Sequence, residues 1–518
     1  MPTYQSPGVY VEEVAAGARP LEGAGTAVAA FVGLAEEGPF NTPTLVSNWT
    51  QFTSTFGGFV AGSYLAQSVY GYFNNGGGNC YVVRIGQNGA SGGSAPRGGR
   101  AKELAAGPTA QIGRLKVVAI DPAAAPGDVS VEVTDPGGDS PTEDMFRLVV
   151  KVRGEVVEEF DRASFGRGKQ NVVTMVNATS KTVQLEDTGN AGLERLPSGE
   201  TALAAPAPAA ALPSTRLGAD DYVGDVADRT GFAGLEAVEE VTMLCVPDLM
   251  SAYQQGSIDL DTVQAVQTAM ISHCELMGDR IAILDTPPGM NAQEVLQWRT
   301  RDAGYDSKFA ALYWPWVQVF DPVSGINKYV PPSGHMGGVW ARNDDTRGVH
   351  KAPANEVVRG AISLQTQITK AEHDLLNPVG INCVRTFAGR GVRVWGARTL
   401  SSDAEWRYLN VRRLFNYLEE SILAGTQWVV FEPNDRQLWA RINRTISAFL
   451  VNEWRKGALF GTTPDEAFFV KCDDETNPAE GIDAGQVVCQ IGVAPVKPAE
   501  FVIFQLSQFS GGTSLVSE

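Results

Sequence analysis

The chain has 518 residues, with 41 Lys and Arg against 59 Asp and Glu, a net charge of −18 and a pI near 4.8. A chain this acidic repels a phosphate backbone, so no nucleic-acid partner is expected; no apolar run of about 18 residues occurs, so no membrane insertion is expected. Hydrophobic residues at 43% and charged residues at 19% describe a core-forming protein, and the six scattered cysteines, without CxxC or zinc-ligand spacing, read as buried and reduced, in keeping with cytoplasmic synthesis and no secretory leader.

The first element is SPGVYVEEV. Pro7-Gly8 break the chain, and Val9, Tyr10 and Val11 are three strand formers in a row. The AAGARPLEGAG run behind them is small and flexible, so this strand has no hairpin partner beside it, and its backbone groups need one elsewhere. Residues 1–24 therefore read as an N-terminal strand arm. Residues 25–87 begin the ordered core: TAVAAFVG as a buried strand, LVSNWTQFTSTFGG and SYLAQSVYGYFNN as helices, and CYVVRIG as a strand.

Residues 88–225 change character. The linkers NGASGGSAPRGGR and ALAAPAPAAALPS flank FRLVVKVRGEVVEEFD, a hairpin turning at Arg153-Gly154, and NVVTMVNATSKTVQLED, read as further strand. This is a β-rich insertion. Residues 226–377 alternate strand and helix: VTMLCVPD, a helix from Asp261 to a stop at Gly278, RIAILD, a helix over NAQEVLQWRTRD, then FAALYWPWV. That rhythm predicts an α/β domain with a largely parallel sheet.

Residues 378–492 read as a second α/β unit. A hairpin turns around Gly389-Arg390-Gly391. Ser402 to Glu405 matches a capping box ahead of a long helix ending near Gly425. QWVVFEP reads as a strand, and Asp435 opens a helix whose core face is Leu438, Ile442, Ile446, Phe449 and Leu450. AFFVKCD and QVVCQIGVAP are further strands. Residues 493–518 form a C-terminal arm whose strand carries Val502, Phe504 and Leu506 on one face.

Patterns that could carry chemistry are weak. Gly89 to Gly93 matches GxSxG but lacks the helix a nucleophile elbow needs. NNGGGNC lacks the Lys-Ser/Thr of a phosphate loop. SGHMGGVWARNDDTRGVHKAPAN gathers His335, Asp344, Asp345 and His350 without metal-binding spacing, and reads as an irregular segment satisfying its own backbone. No catalytic, metal or cofactor-binding residue is assigned and no cofactor is expected; an α/β nucleotide- or substrate-binding enzyme stands as the alternative, on the alternation over 241–314 alone. Residues 380–471 carry 13 Lys/Arg and 9 Asp/Glu, against a strongly acidic remainder. That excess reads either as solubilising helix surface or as a basic face for an acidic partner.

Taken in order, SPGVYVEEV, TAVAAFVGLAEEGPFNTPTLVSNWTQFTSTFGG, GGGNCYVVRI, GLEAVEEVTMLCVPDL, PPSGHMGGVWARNDDTRGVHKAPAN, LNPVGINCVRTFAGRGVRVWGARTL, WRYLNVRRLFNYLEESI, VVFEPNDRQLWARI, GALFGTTPDEAFFVKCD and GVAPVKPAEFVIFQLSQ resemble the contractile tail sheath family of phages and phage-like injection particles. The resemblance covers most of 1–86 and 230–508; residues 88–225 fall where that family varies. It implies a non-enzymatic subunit that polymerises around an inner tube in a metastable extended state, contracts, and drives the tube through an envelope. Implied partners are further copies of the chain, the inner tube protein, baseplate proteins and tail-terminator or cap proteins, in a tail or tail-like particle assembled in the cytoplasm. It also implies an α/β sheath core with a β-rich, outward-facing insertion, and terminal arms that add strands to sheets of neighbouring subunits. The arm residues would be Val9, Tyr10, Val11, Val502, Phe504 and Leu506. The tube-facing surface would belong to 378–492, with exposed Arg407, Arg412, Arg413, Arg441 and Arg444 as its basic candidates.

Overall fold

The computed structural model describes residues 21–86, 109–112, 115–119, 128–134, 136, 145–165, 171–180, 182–187, 199–203, 217–321 and 325–504. The arm residues Val9, Tyr10, Val11 and Leu506 lie outside them. The chain divides into a larger unit of residues 1–88 and 214–518 and a smaller one of residues 89–213.

The larger unit opens with β1 (Ala29–Gly33), a wholly buried strand, followed by β2 (Thr44–Val46). Helix α1 (Trp49–Phe56) starts where the Asn48 side chain accepts from the Gln51 N–H, and buries Phe52 and Phe56. Helix α2 (Leu65–Asn74) and β3 (Cys80–Arg84) complete this part.

In the smaller unit, β4 (Thr109–Ile112) and β5 (Leu115–Ala119) form a hairpin, and β6 (Val129–Thr134), β7 (Phe146–Val152) and β8 (Glu155–Ala163) a meander. The β7–β8 turn is at Arg153-Gly154, both with positive φ. The segment 172–179 is a helix, α3 (Val172–Thr179), and not the strand its Val-rich sequence implies: the Asn171 side chain caps it, which local β propensity does not report. Strands β9 (Val183–Asp187) and β10 (Gly199–Ala202) finish two antiparallel sheets, ordered β4-β5-β9 and β10-β6-β7-β8. Their shared core includes Leu115, Val117, Val131, Phe146, Leu148 and Val176.

The chain re-enters the larger unit before residue 225. Tyr222 on α4 (Ala219–Val223) is fully buried in that unit's core. Next come β11 (Met243–Cys245), α5 (Asp248–Gln254), α6 (Leu260–Met277, stopped by Gly278 in the left-handed region) and β12 (Ile281–Asp285). Helix α7 (Ala292–Gln297) starts in a capping box at Asn291, and β13 (Ala310–Trp314), β14 (Val317–Asp321) and β15 (Ile326–Val330) follow.

Residues 333–347, expected to be irregular, form helix α8 (Ser333–Arg347), ten of whose residues are buried. The glycines that argue against a helix locally are its packing surface: a Cβ at Gly334 would strike the Ser68 backbone, and one at Gly338 the Tyr72 carbonyl, so α8 lies directly on α2. Then come β16 (Ser363–Leu364), α9 (Lys370–Leu376), β17 (Ile381–Phe387) and β18 (Gly391–Val394).

The main sheet is ordered β18-β17-β13-β12-β11-β1-β3-β2; pairing is parallel from β17 to β3, with an antiparallel strand at each edge. One sheet therefore runs across residue 377, so 381–394 extend the α/β sheet and do not begin a separate one. The direction of winding reverses between β1 and β11. In doubly wound enzymes a ligand binds in the crevice at such a switch point. Here Asp248 fills it: its fully buried carboxylate accepts from Leu34 N at 2.5 Å, Leu65 N at 3.1 Å, Ser63 Oγ at 2.9 Å and the Tyr64 N–H, tying the end of β1 to the start of α2.

The remaining residues build a separate cluster. Helix α10 (Leu409–Thr426) begins at Tyr408; the predicted capping box at 402–405 lies in the preceding loop. QWVVFEP is not a strand but a 3₁₀ turn over Gln427–Val429, then an exposed bend at Phe431, a non-glycine residue with φ of 68°. Helix α11 (Arg436–Arg455) is capped by Asp435 and buries the whole expected face. A short helix, α12 (Pro464–Ala467), leads into β19 (Phe468–Lys471), and a second, α13 (Ala479–Asp483), lies in the connection to β20 (Gln490–Val493), which pairs antiparallel with β19. Leu414, Leu418, Leu438, Ile442, Phe449 and Leu459 form the core of this cluster.

Candidate assembly interface

Residues 21–28 and residues 493–500 are both held against α10 or the residues just ahead of it. At the N-terminal side, residues 21–28 have no regular structure but are held. Leu21 packs on the α10–α11 cluster, Ala24 N donates to Ser421 Oγ at 2.9 Å, and the Thr26 carbonyl accepts from Arg413 Nη2 at 3.0 Å. A cleft of about 450 Å³ opens beside this segment, lined by Glu239, Glu240, Asp279, Glu420 and Arg413 among others. Burial, together with Asp279 and Glu239, pushes the Glu420 carboxyl above its ordinary range.

At the C-terminal side, Asn410 Nδ2 donates to the Val496 carbonyl at 3.0 Å. Glu500 then receives Arg398 Nε at 2.9 Å and Nη2 at 2.6 Å, Asn377 Nδ2 at 2.6 Å and the Tyr408 hydroxyl at 3.3 Å. Burial opposes the Glu500 charge, but these hydrogen bonds and the Arg398 guanidinium outweigh it and hold the carboxyl below its ordinary range. Beyond it Phe501, Val502, Ile503 and Phe504 have no regular structure and are 68–90% exposed. Four consecutive apolar side chains in that state are costly in water unless something covers them.

The hairpin β19–β20 has the complementary property. Its sheet has only two strands among the described residues; the Val470 carbonyl on the outer edge of β19 accepts from Asn443 Nδ2 of α11 at 2.8 Å, so the edge of β20 is the one open to another strand. A two-stranded sheet is marginal alone and gains from added strands. Phe469 on β19, Phe460 just ahead of it and Val430-Phe431 are also exposed, marking apolar surface on this cluster.

The basic candidates separate into two groups. Arg407, Arg441 and Arg444 are exposed. Arg441 lies over the Trp428 ring, 4.3 Å from its centroid, and 3.7 Å from Glu432. Arg412 and Arg413, expected to be exposed, are 3% and 4% exposed. Arg413 pairs with the equally buried Asp344 at 2.5 Å and lies over Trp340. Arg412 is wedged among Phe309, Trp406 and Phe415, donating to Asn416 at 2.7 Å and Glu419 at 3.1 Å. These two arginines fasten α10 to the rest of the unit and cannot face a partner. Sequence reasoning missed the anchors Arg398, Glu500 and Asp344; the WARNDD segment carried the only signal, an acidic residue in a helix built to be buried.

Of the histidines, His335 sits fully buried in the first turn of α8 against Gly71, and burial depresses its pKa to about 4. A histidine held neutral stabilises the fold fully above its ordinary value of about 6.5, and that stability drains as pH falls toward 4. His335→Asn removes this component: between about pH 7.5 and 5 the wild type should lose about 2 kcal/mol more unfolding free energy than the variant in urea titrations. Equal losses in the two proteins would contradict this role.

Among the described residues no group of His, Cys, Asp and Glu is placed to hold a metal ion, and no described helix is long and apolar enough to cross a membrane. A family model for the phage tail sheath protein central domain matches residues 218–400, and one for the phage tail sheath C-terminal domain matches residues 401–509. The chain is 24% identical over 385 residues to the tail sheath protein of Vibrio phage KVP40, covering 69% of this chain and 54% of that protein. It is 27% identical over 252 residues to the tail sheath protein of Salmonella phage ViI, covering 47% and 37%. This chain thus spans about half or less of those relatives' length. Its fold is that of the anti-feeding prophage helical sheath solved by cryo-electron microscopy in the contracted state, with a TM-score of 0.59, 23% identity, and coverage of 98% of this chain and 100% of that one.

Proposed function

The chain belongs to the contractile phage tail sheath family, and from that premise we propose that it is the structural subunit of a contractile sheath. It polymerises around an inner tube in an extended, metastable form and contracts to drive the tube through a target envelope. One observation carries the reading: apolar residues 501–504 leave an anchored root unpaired, while the same chain holds the two-stranded β19–β20 sheet, whose β20 edge has no strand beside it among the described residues. Strands from the terminal arms of neighbouring copies, residues 9–11 and 502–506 in each, add to that edge, so subunits stay linked while their broader faces slide. Contraction driven by release from a kinetic trap needs no nucleotide. Baseplate and terminator proteins cap the ends, and residues 89–213 face outward.

The α10–α11 cluster is assigned to the tube-facing side, with Arg407, Arg441 and Arg444 toward the tube. Exposed charge pairs contribute only about 0.2–1 kcal/mol each, so the effect needs all three and repetition along the lattice. Arg407→Glu/Arg441→Glu/Arg444→Glu should melt with the wild type yet fail to sheathe tubes. The reading as a whole is tested by negative-stain microscopy of the purified chain with its tube protein. Long striated tubes are expected; only small monodisperse particles would refute it.

A further inference from the structure

The β19–β20 register pairs Phe468 with Val493 and Lys471 with Gln490. One step further, that register sets Cys472 directly opposite Cys489. The two thiols are close enough to perturb each other's ionisation, and both are free. Cys472 is 7% exposed, and Asn477 Nδ2 approaches its Sγ at 3.8 Å. Asn477 also exchanges hydrogen bonds with the backbone of Val488, donating at 3.1 Å and accepting at 2.7 Å, so the base of the 473–488 excursion is fixed on both sides of the pair. Cys489 is the more exposed of the two.

We propose that Cys472 and Cys489 form a redox-modifiable pair, which an external low-molecular-weight disulfide converts to a cross-strand disulfide at the loop end of the β19–β20 hairpin. Directly opposed residues hold their Cβ atoms about 4.5–5.5 Å apart and a disulfide needs about 3.5–4.5 Å, so closure asks for a shift of about 1 Å. The chemistry balances as exchange. The Cys489 thiolate attacks one sulfur of the external disulfide and expels one thiol. The Cys472 thiolate then attacks Cys489 Sγ, forms the protein S–S bond and expels the second thiol. Two cysteine protons are released and taken up by the two leaving thiolates, and the external disulfide is reduced as the pair is oxidised. Burial raises both thiols above their ordinary pKa, Cys489 to about 12, so the exchange is slow at neutral pH and the pair stays reduced in a thiol-rich compartment. In an oxidising medium the bond fixes the register of the sheet that, on the reading above, accepts the arms. The bond itself forms in an isolated chain and does not require that reading.

The test uses the purified full chain with oxidised glutathione, followed by alkylation under denaturing conditions and peptide mass spectrometry. Expected are loss of two hydrogen atoms from the intact mass, a Cys472–Cys489 linked peptide pair, alkylation of Cys80, Cys245, Cys274 and Cys383, and a raised melting temperature that dithiothreitol reverses. Cys472→Ser should stop at a glutathione adduct on Cys489. Six alkylated cysteines in the wild type, a persistent glutathione adduct there, or a bridge to another cysteine would each overturn the proposal. Failure to form sheaths, with the linked pair present, would count against the assembly reading alone.

Discussion

Deleting residues 1–20 should leave a monomer that folds and melts like the full chain but does not polymerise. The cut keeps the anchored segment whole, with Leu21 on the α10–α11 cluster and Ala24 held by Ser421. The deletion removes the Val9-Tyr10-Val11 strand, which on the reading proposed here belongs to a neighbour's sheet. Folding is then spared, while an interaction repeated at every lattice point is lost, so the effect on assembly is close to all-or-none. Circular dichroism and thermal melts report the fold, and electron microscopy reports polymer. Ordinary contractile sheaths assembled from the truncated chain would refute the role given to the N-terminal arm.

Arg413→Ala should be among the most damaging single substitutions in the chain. It leaves Asp344, itself 4% exposed along its side chain, with an uncompensated buried charge, and it frees the Thr26 carbonyl. Removing one member of a buried ion pair costs about 3–5 kcal/mol. Asp344→Ala should cost a similar amount, and the double substitution less than the sum, because the second change removes a charge that the first stranded. Urea unfolding of the four proteins measures the coupling directly. An Arg413→Ala midpoint equal to the wild type would contradict the burial of this pair. The same geometry means that charge reversal at Arg412 and Arg413 tests folding, whereas the exposed trio Arg407, Arg441 and Arg444 tests the tube surface.

The elements that were legible in the sequence are those whose cause is local. The helix read from Asp261 to a stop at Gly278 is α6, which starts one residue earlier behind the Asp259 cap, Asp435 opens α11, and the Leu438-Ile442-Ile446-Phe449 face is buried as its spacing demands. The readings that failed depended on partners distant in sequence. SGHMGG looks like a loop because glycine is a poor helix former, yet α2 comes too close for any side chain at Gly334 and Gly338. QWVVFEP looks like a strand because of its composition, but no sheet edge takes it, and the chain bends at Phe431. Arg412 and Arg413 look like surface because charge usually is; Asp344, about seventy residues upstream, and a ring of aromatic residues decide otherwise. The anchor at Glu500 was equally hidden, since nothing local pairs it with Arg398.

Helix α10 takes both roots. Asn410 and Tyr408 hold the segment that ends at Glu500, while Arg413 and Ser421 hold the segment that begins at Leu21. In a lattice tied together by its arms, a pull from one neighbour and a pull from another therefore enter the same rigid rod, within a few turns of each other. The Glu500 root also loads Arg398, whose backbone exchanges hydrogen bonds with Asn382 on β17, so on that reading the pull reaches the eight-stranded sheet as well. On the reading proposed above, tension would pass from subunit to subunit through this junction of α10 with the sheet, which the buried Arg413–Asp344 pair braces.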